Sequence, residues 1–153
     1  MTKKVKQKVE KEVKKKEKKE EIIFKLGKRK RAVAKVVIKP GSGKITINGM
    51  PLENIKSDIV RLRIMEPFML INDETWKNYD FMASVKGGGI MGQADAVRQA
   101  FARGLVDIYG NEVKQRFIEY DRNLLVYDPR RTEPHKPPHS SWGPRRYKQR
   151  SKR

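Results

Sequence analysis

The sequence predicts a small α+β domain carried between two basic arms. Three observations predict it. Short strand-like runs lie between Ile22 and Lys86, two of them alternating apolar and polar, one long stretch after a glycine triplet has apolar residues every three or four positions, and charge is concentrated at the two ends. Of the 153 residues, Met1–Glu20 carries ten Lys against four Glu, Glu21–Tyr127 carries eighteen basic against twelve acidic residues, and Asp128–Arg153 carries nine against two. Apolar residues follow the opposite trend, so Glu21–Tyr127 is expected to fold and the flanks to be arms.

In the first arm, Val5, Val9 and Val13 are spaced by four and would share one helix face. Three valines make a thin stripe, too little to hold a helix alone, so the free arm is expected to be disordered or transiently helical. Ile22–Leu26 and Ala32–Ile38 suit strands and flank the basic cluster Lys28, Arg29, Lys30 and Arg31. Pro40-Gly41-Ser42-Gly43, the alternating Lys44-Ile45-Thr46-Ile47 and Asn48-Gly49 together read as a hairpin with turns at both ends. A helix is expected over Leu52–Met65, interrupted by Pro67, with a further short turn through Ile71.

Tyr79, Phe81, Ala83 and Val85 alternate with Asp80, Met82, Ser84 and Lys86, the pattern of a strand with one buried face. Gly87-Gly88-Gly89 ends it. The strongest helix follows, with Ile90, Ala94, Val97, Phe101, Leu105 and Ile108 on one face and Ala100 and Gly104 allowing close approach to a sheet. Asn111–Tyr120 is expected to form a short helix and Leu124–Tyr127 a last strand. Beyond Asp128, five of the eight prolines, mixed with Arg, Lys and two His, forbid helix and central strand, leaving an extended tail that orders only on something negative.

A formal charge of +19 destabilises a compact monomer by self-repulsion unless a polyanion is near, which points to nucleic acid ahead of an anionic membrane. No run approaches the roughly 20 apolar residues of a spanning helix, and Met1–Lys8 leads into charge, unlike a secretion signal. The lack of cysteine removes disulfides, thiolate nucleophiles and Cys-based zinc sites, and is compatible with the cytoplasm.

Gly87-Gly88-Gly89-Ile90-Met91-Gly92 satisfies the spacing of a dinucleotide-binding turn. That reading needs a second parallel strand soon after the helix, ending in an acidic residue; Asp107 has the distance but sits within the helical run. The glycines still allow a backbone to approach a phosphate closely at a helix start, or they make a tight turn with no ligand. His135 and His139 are separated by prolines that exclude the helix needed to pair them as metal ligands, and nothing orients either as a base. Gly41-Ser42-Gly43-Lys44 lacks the rest of a nucleotide-binding loop and reads as a hairpin loop. Trp142 and Tyr147 lie among Arg130, Arg131, Arg145, Arg146, Arg150, Lys152 and Arg153, where they either stack on unpaired bases or pack on the protein's own surface.

The run from Gly87 to Leu105, with its glycine triplet, Gln93, small residues and Arg98, closely resembles the signature of the universal small-subunit ribosomal protein family S-nine. Gly27-Lys28-Arg29-Lys30, Pro40–Lys44 and Ile47-Asn48-Gly49 resemble that family's first hairpin. Asp128-Pro129-Arg130-Arg131 and Gln149–Arg153 resemble its tail, so the similarity covers roughly residues 22 to 153. Asp128–Pro134 and Asn48–Pro51 give it an archaeal or eukaryotic character. Met1–Glu20 has no evident counterpart in the family, and Pro138-His139 stands where many members have a basic residue and glycine.

The resemblance implies a two-layer α+β sandwich like the second domain of ribosomal protein S-five, with a left-handed βαβ crossover and extended arms. It implies a seat in the head of the small subunit, among neighbouring ribosomal proteins, with no cofactor, small-molecule substrate, membrane or catalysis. Lys28, Arg29, Lys30, Arg31, Lys86, Gly87, Gly88, Gly89, Gln93, Arg98, Arg130, Arg131, Arg145 and Arg146 are the expected rRNA contacts. Arg150, Lys152 and Arg153 are expected at the anticodon stem of P-site tRNA. A DNA-compacting protein would share the charge and the arms, and a nucleotide-binding enzyme would use Gly87–Gly92; both stand as alternatives.

Overall fold

The computed structural model describes residues 22–71 and 73–132. The first arm, the tail from residue 133 with its two His, Trp142 and Tyr147, and the expected contacts Arg145, Arg146, Arg150, Lys152 and Arg153 lie outside the described residues.

Five strands form one sheet: β1 (Ile23–Arg29), β2 (Ala32–Pro40), β3 (Ile45–Ile47), β4 (Met50–Pro51) and β5 (Tyr79–Lys86). Three α-helices, α1 (Asp58–Met69), α2 (Ile90–Tyr109) and α3 (Asn111–Tyr120), complete the α+β architecture. The spatial order is β1-β2-β5-β3-β4. Pairing is antiparallel except between β3 and β5, which are parallel neighbours joined through α1.

Alternation in the strands fixes which face is buried. Ala32, Ala34, Val36 and Ile38 of β2 and Phe81, Ala83 and Val85 of β5 are all buried, while Lys35, Met82, Ser84 and Lys86 are exposed. Helix α2 lies on the buried face with backbone almost touching β1. A Cβ on Gly27 would come within 1.9 Å of the Ala96 carbonyl oxygen, and one on Gly104 within 2.2 Å of the Ile38 side chain. The small residues of α2 therefore permit the approach their spacing predicted. Phe68 of α1, Phe81 of β5 and Phe101 of α2 meet edge to face with centroids 5.0, 5.5 and 5.6 Å apart, tying both helices to the sheet.

The structure departs from expectation in four places. The hairpin read through Pro40–Gly43 does not form, because β5 is inserted between β2 and β3. The Asp80 carboxylate holds that loop instead, accepting from the Ser42 and Lys44 N–H groups at 2.8 and 3.0 Å. The Asn48-Gly49 turn does form, with φ of 51° and 82°, and joins β3 to β4. Helix α1 starts later than expected, after a 3-10 turn at Leu52–Asn54, and includes Pro67, whose ring is buried in the last turn. Ile90, placed on the apolar face by spacing, is exposed.

The last departure is Leu124–Tyr127, which is not a strand; it follows a 3-10 turn at Arg122–Leu124. Its carbonyls are taken by side chains of α2. Gln99 Nε2 donates to Val126 O at 2.8 Å, while its Oε1 accepts from Lys28 N at 2.9 Å. Arg103 donates to Leu125 O at 2.9 Å and to Leu26 O at 2.7 Å. Two side chains thus stand where a ladder of strand hydrogen bonds would have formed, and they satisfy the Lys28 N–H and the Leu26 carbonyl on the outer edge of β1.

Candidate nucleic-acid interface

The β1–β2 connection is as short as a hairpin permits, since Arg29 pairs directly with Ala32. Lys30 therefore takes φ 55°, a left-handed conformation that costs a lysine about 1 kcal/mol and glycine nothing. Lys28, Lys30 and Arg31 are exposed at this tip. Lys86 joins them from β5, because Val33 pairs with Lys86 across the sheet.

The glycine triplet packs beneath the same tip. Gly87 and Gly88 have φ of 77° and 70°, and a Cβ on them would meet Arg31 O at 2.6 Å and Ala32 N at 3.0 Å. Both glycines are therefore demanded by the fold. Gly89 differs: it has φ −98°, and a Cβ there would meet nothing within 4 Å. The Gln93 amide donates to Gly87 O at 3.1 Å, and its backbone N–H to Gly89 O at 2.9 Å, closing the turn from inside the helix. No side chain caps the start of α2, so its first N–H groups face outward beside the basic tip.

Other basic residues turn inward. Arg98, expected to meet RNA, has a side chain only 6% exposed, paired with Glu66 at 2.8 Å and Asp121 at 2.9 Å. Its charge is already matched, and its role here is to bind α1 and the end of α3 to α2. Arg29 is half-buried; its guanidinium donates to Asp128 and lies 3.7 Å from Asp95. Arg63 extends the chain of alternating charge, reaching Asp95 at 3.1 Å and Glu66 at 3.5 Å. Burial would raise the Asp121 carboxyl, but the Asn123 N–H and Arg98 hold it below the usual range.

The tail leaves the domain at this network. Asp128, with its side chain 8% exposed, accepts from the backbone N–H of Arg130 at 2.9 Å and from its guanidinium at 2.7 Å. Arg130 and Arg29 together hold its carboxyl well below the ordinary value. Arg131 donates to the Tyr127 hydroxyl at 3.2 Å and is exposed.

Gln99, Arg103 and Asp128 carry structural roles that sequence reasoning missed. The available signal was that Gln99 and Arg103 lie four apart, on the helix face carrying the small residues. Asp107, the residue at ribose-binding distance from the glycines, pairs with Lys25 at 2.6 Å and ties α2 to β1. The chain after α2 enters α3, not a parallel strand. Among the described residues no three His, Asp or Glu side chains are grouped to hold a metal ion, and no helix is long and apolar enough to cross a membrane.

The α+β fold gathers exposed cations and an open helix start at one end of its sheet, beside Asp128, where the basic C-terminal stretch begins. The profile of the family described as Ribosomal protein S9/S16 matches residues 27–153, and the chain belongs to that family. It is 46% identical to small ribosomal subunit protein uS9 of Methanococcus maripaludis over 87% of this chain and 99% of that protein. It is 48% identical to the uS9 of Desulfurococcus amylolyticus over 80% and 84%, and 43% identical to that of Aeropyrum pernix over 76% and 88%. Archaeal relatives of this similarity agree with the character read from Asp128–Pro134 and Asn48–Pro51.

Proposed function

We propose that this chain is a structural constituent of the small ribosomal subunit in the cytoplasm, that it holds rRNA in the subunit head, and that it catalyses no reaction. The observation that carries this reading is the convergence of Lys28, Lys30, Arg31, Lys86 and the Gly87–Gly89 turn at one end of the sheet. Lysine and arginine neutralise phosphates there, and the outward N–H groups of α2 donate to another. Gly89 lacks a packing reason to be glycine, and close approach of a phosphate supplies one. Arg130 and Arg131 continue the basic surface into the tail, where Arg145 and Arg146 extend it along rRNA.

The tail ends on Arg150, Lys152 and Arg153, for which we propose contact with the anticodon stem of P-site tRNA. Arg29 and Arg98 are better accounted for by the carboxylates they already hold. Gln93 acts by keeping the glycine turn closed.

Ultraviolet crosslinking in cells, mapped by peptide, tests the reading. Crosslinks from Lys28–Arg31 and Lys86–Gln93 to small-subunit rRNA, with tRNA on the last residues, are expected. Crosslinks to genomic DNA that survive ribonuclease would make the chain a DNA-compacting protein instead. Deleting Lys152 and Arg153 is expected to spare subunit assembly and weaken tRNA retention in the P site; failure of assembly would make the tail an rRNA anchor.

A further inference from the structure

The helices cover one face of the sheet and leave the other bare. Residues paired directly across strands share a face, so the bare face is read in rows. Lys28, Val33 and Lys86 form one row, Leu26, Lys35 and Ser84 the next, and Phe24, Val37, Met82 and Thr46 the third. Lys39 and Asp80 begin a fourth. Successive rows are about 6.8 Å apart.

Large apolar groups stand in the open on this face. Phe24 is 68% exposed, and Leu26 and Met82 are also exposed. An aromatic ring left in water near the start of an edge strand gains little from burial within the domain. Around it lie Lys28, Lys35, Lys39 and Lys86, none ion-paired among the described residues. Among the described residues of these rows the one carboxylate is Asp80, at the far end, and that group is engaged by the Ser42 and Lys44 N–H groups.

From this juxtaposition of a bare ring, an apolar floor and four lysines, we infer that the open sheet face binds unpaired RNA: a base stacks on Phe24 over Val37 and Met82, and the lysines hold the flanking phosphates. The inference rests on the ribosomal reading above and names a second surface for it. Charge selects the polyanion over a protein partner, which would have to meet four lysines. The ring selects an unpaired strand, since a duplex buries its bases and would meet this face through phosphates alone. The row Lys28–Val33–Lys86 adjoins the hairpin tip and glycine turn, so one RNA can run from the phosphate-holding end onto the sheet.

Two measurements on the full chain test it. With Phe24 replaced by the photoreactive p-benzoylphenylalanine in assembled small subunits, the crosslink is expected on unpaired nucleotides of rRNA. A crosslink to a ribosomal protein, or none to RNA, overturns the inference. In binding to small-subunit rRNA, Phe24→Ala is expected to weaken affinity about tenfold and Phe24→Trp to retain it; equal binding by all three overturns it. Because Phe24 is exposed, folding is not at stake. The double variant Lys30→Gln, Arg31→Gln, confined to the turn between β1 and β2, separates the two claims. If it abolishes binding while Phe24→Ala does nothing, the stacking surface fails and the ribosomal reading stands; if the unaltered chain neither binds rRNA nor sediments with small subunits, the ribosomal reading itself fails.

Discussion

The guanidinium of Arg29, at the end of the first strand, donates to the buried carboxylate of Asp128, where the chain leaves the domain. Arg130 closes on the same carboxylate from the other side. The root of the tail is thus fastened to the base of the hairpin that carries Lys30 and Arg31, and the two proposed RNA-holding segments share one anchor.

That anchor has a definite pH dependence. The Arg130 side chain and N–H, assisted by Arg29 and opposed by desolvation, depress the Asp128 carboxyl below its unfolded value. Its contribution is complete above the unfolded value and is lost as pH falls through the lower folded one. At about pH 3.9, where an ordinary Asp is half protonated, the Asp128 carboxyl carbon is expected to show the NMR shift of an ionised group. Asp128→Asn is expected to speed hydrogen exchange at the Arg130 amide at neutral pH, with the sheet amides unchanged.

Arg98 separates burial from binding. Arg98→Ala leaves Asp121 without its paired guanidinium and Glu66 with Arg63 alone, and is expected to cost about 3 kcal/mol of folding stability. Arg98→Met, which fills the space, is expected to cost less. Urea denaturation of the two variants checks this, and once folded both are expected to bind rRNA as the unaltered protein does.

Lys30 is expected to trade stability for binding. Lys30→Gly removes the left-handed strain and is predicted to stabilise the fold by about 0.5 kcal/mol or more, while losing a phosphate contact. Thermal denaturation and salt-dependent rRNA binding of the same variant check both effects. The slope of log affinity against log salt is expected to fall by about one.

The glycine triplet divides by role. Gly87→Ala meets both a positive φ and the Arg31 carbonyl and is expected to cost about 2 kcal/mol. Gly89→Ala meets neither and is expected to fold within about 0.5 kcal/mol of the unaltered chain, yet to bind rRNA more weakly because its methyl group occupies the space a phosphate approaches. Calorimetry paired with an rRNA affinity measurement distinguishes the two.

Alternation made β5 legible with its buried face, the apolar run Ala32–Ile38 made β2 legible as a strand, and the three-to-four spacing of Ala94, Val97, Phe101 and Leu105 made α2 legible with its packing side. The Asn48-Gly49 dipeptide announced its hairpin because two adjacent positive φ values suit few other residues. Strand order was not legible: alternation tells which face is buried but not which strand lies alongside. Gly41–Gly43 therefore looked like a hairpin loop although its partner, Asp80, is remote in the chain. For the same reason nothing in the sequence placed Arg98, expected among the rRNA contacts, between two carboxylates. Its partners come from α1 and from the residue after α3, and no local pattern couples those positions. The basic hairpin tip and the glycine turn were legible as candidates because both are compact in sequence; that they adjoin in space needed the pairing of Val33 with Lys86.

The strand order bears on how a growing chain acquires this structure. β5 is the last strand made and the middle one in the finished sheet, since β2 lies on one side of it and β3 on the other. Until residue 86 has been synthesised, the β1–β2 ribbon and the β3–β4 ribbon have no common neighbour. Until α2 is complete, their apolar faces have no cover. The two ribbons therefore wait for a late segment that must close long loops to both, and docking of β5 is the expected slow, all-or-none step of folding. A nascent chain stalled before β5 holds unpaired strand edges and an open apolar face, which makes it a substrate for chaperones, whereas one stalled after α2 already contains every strand of the sheet.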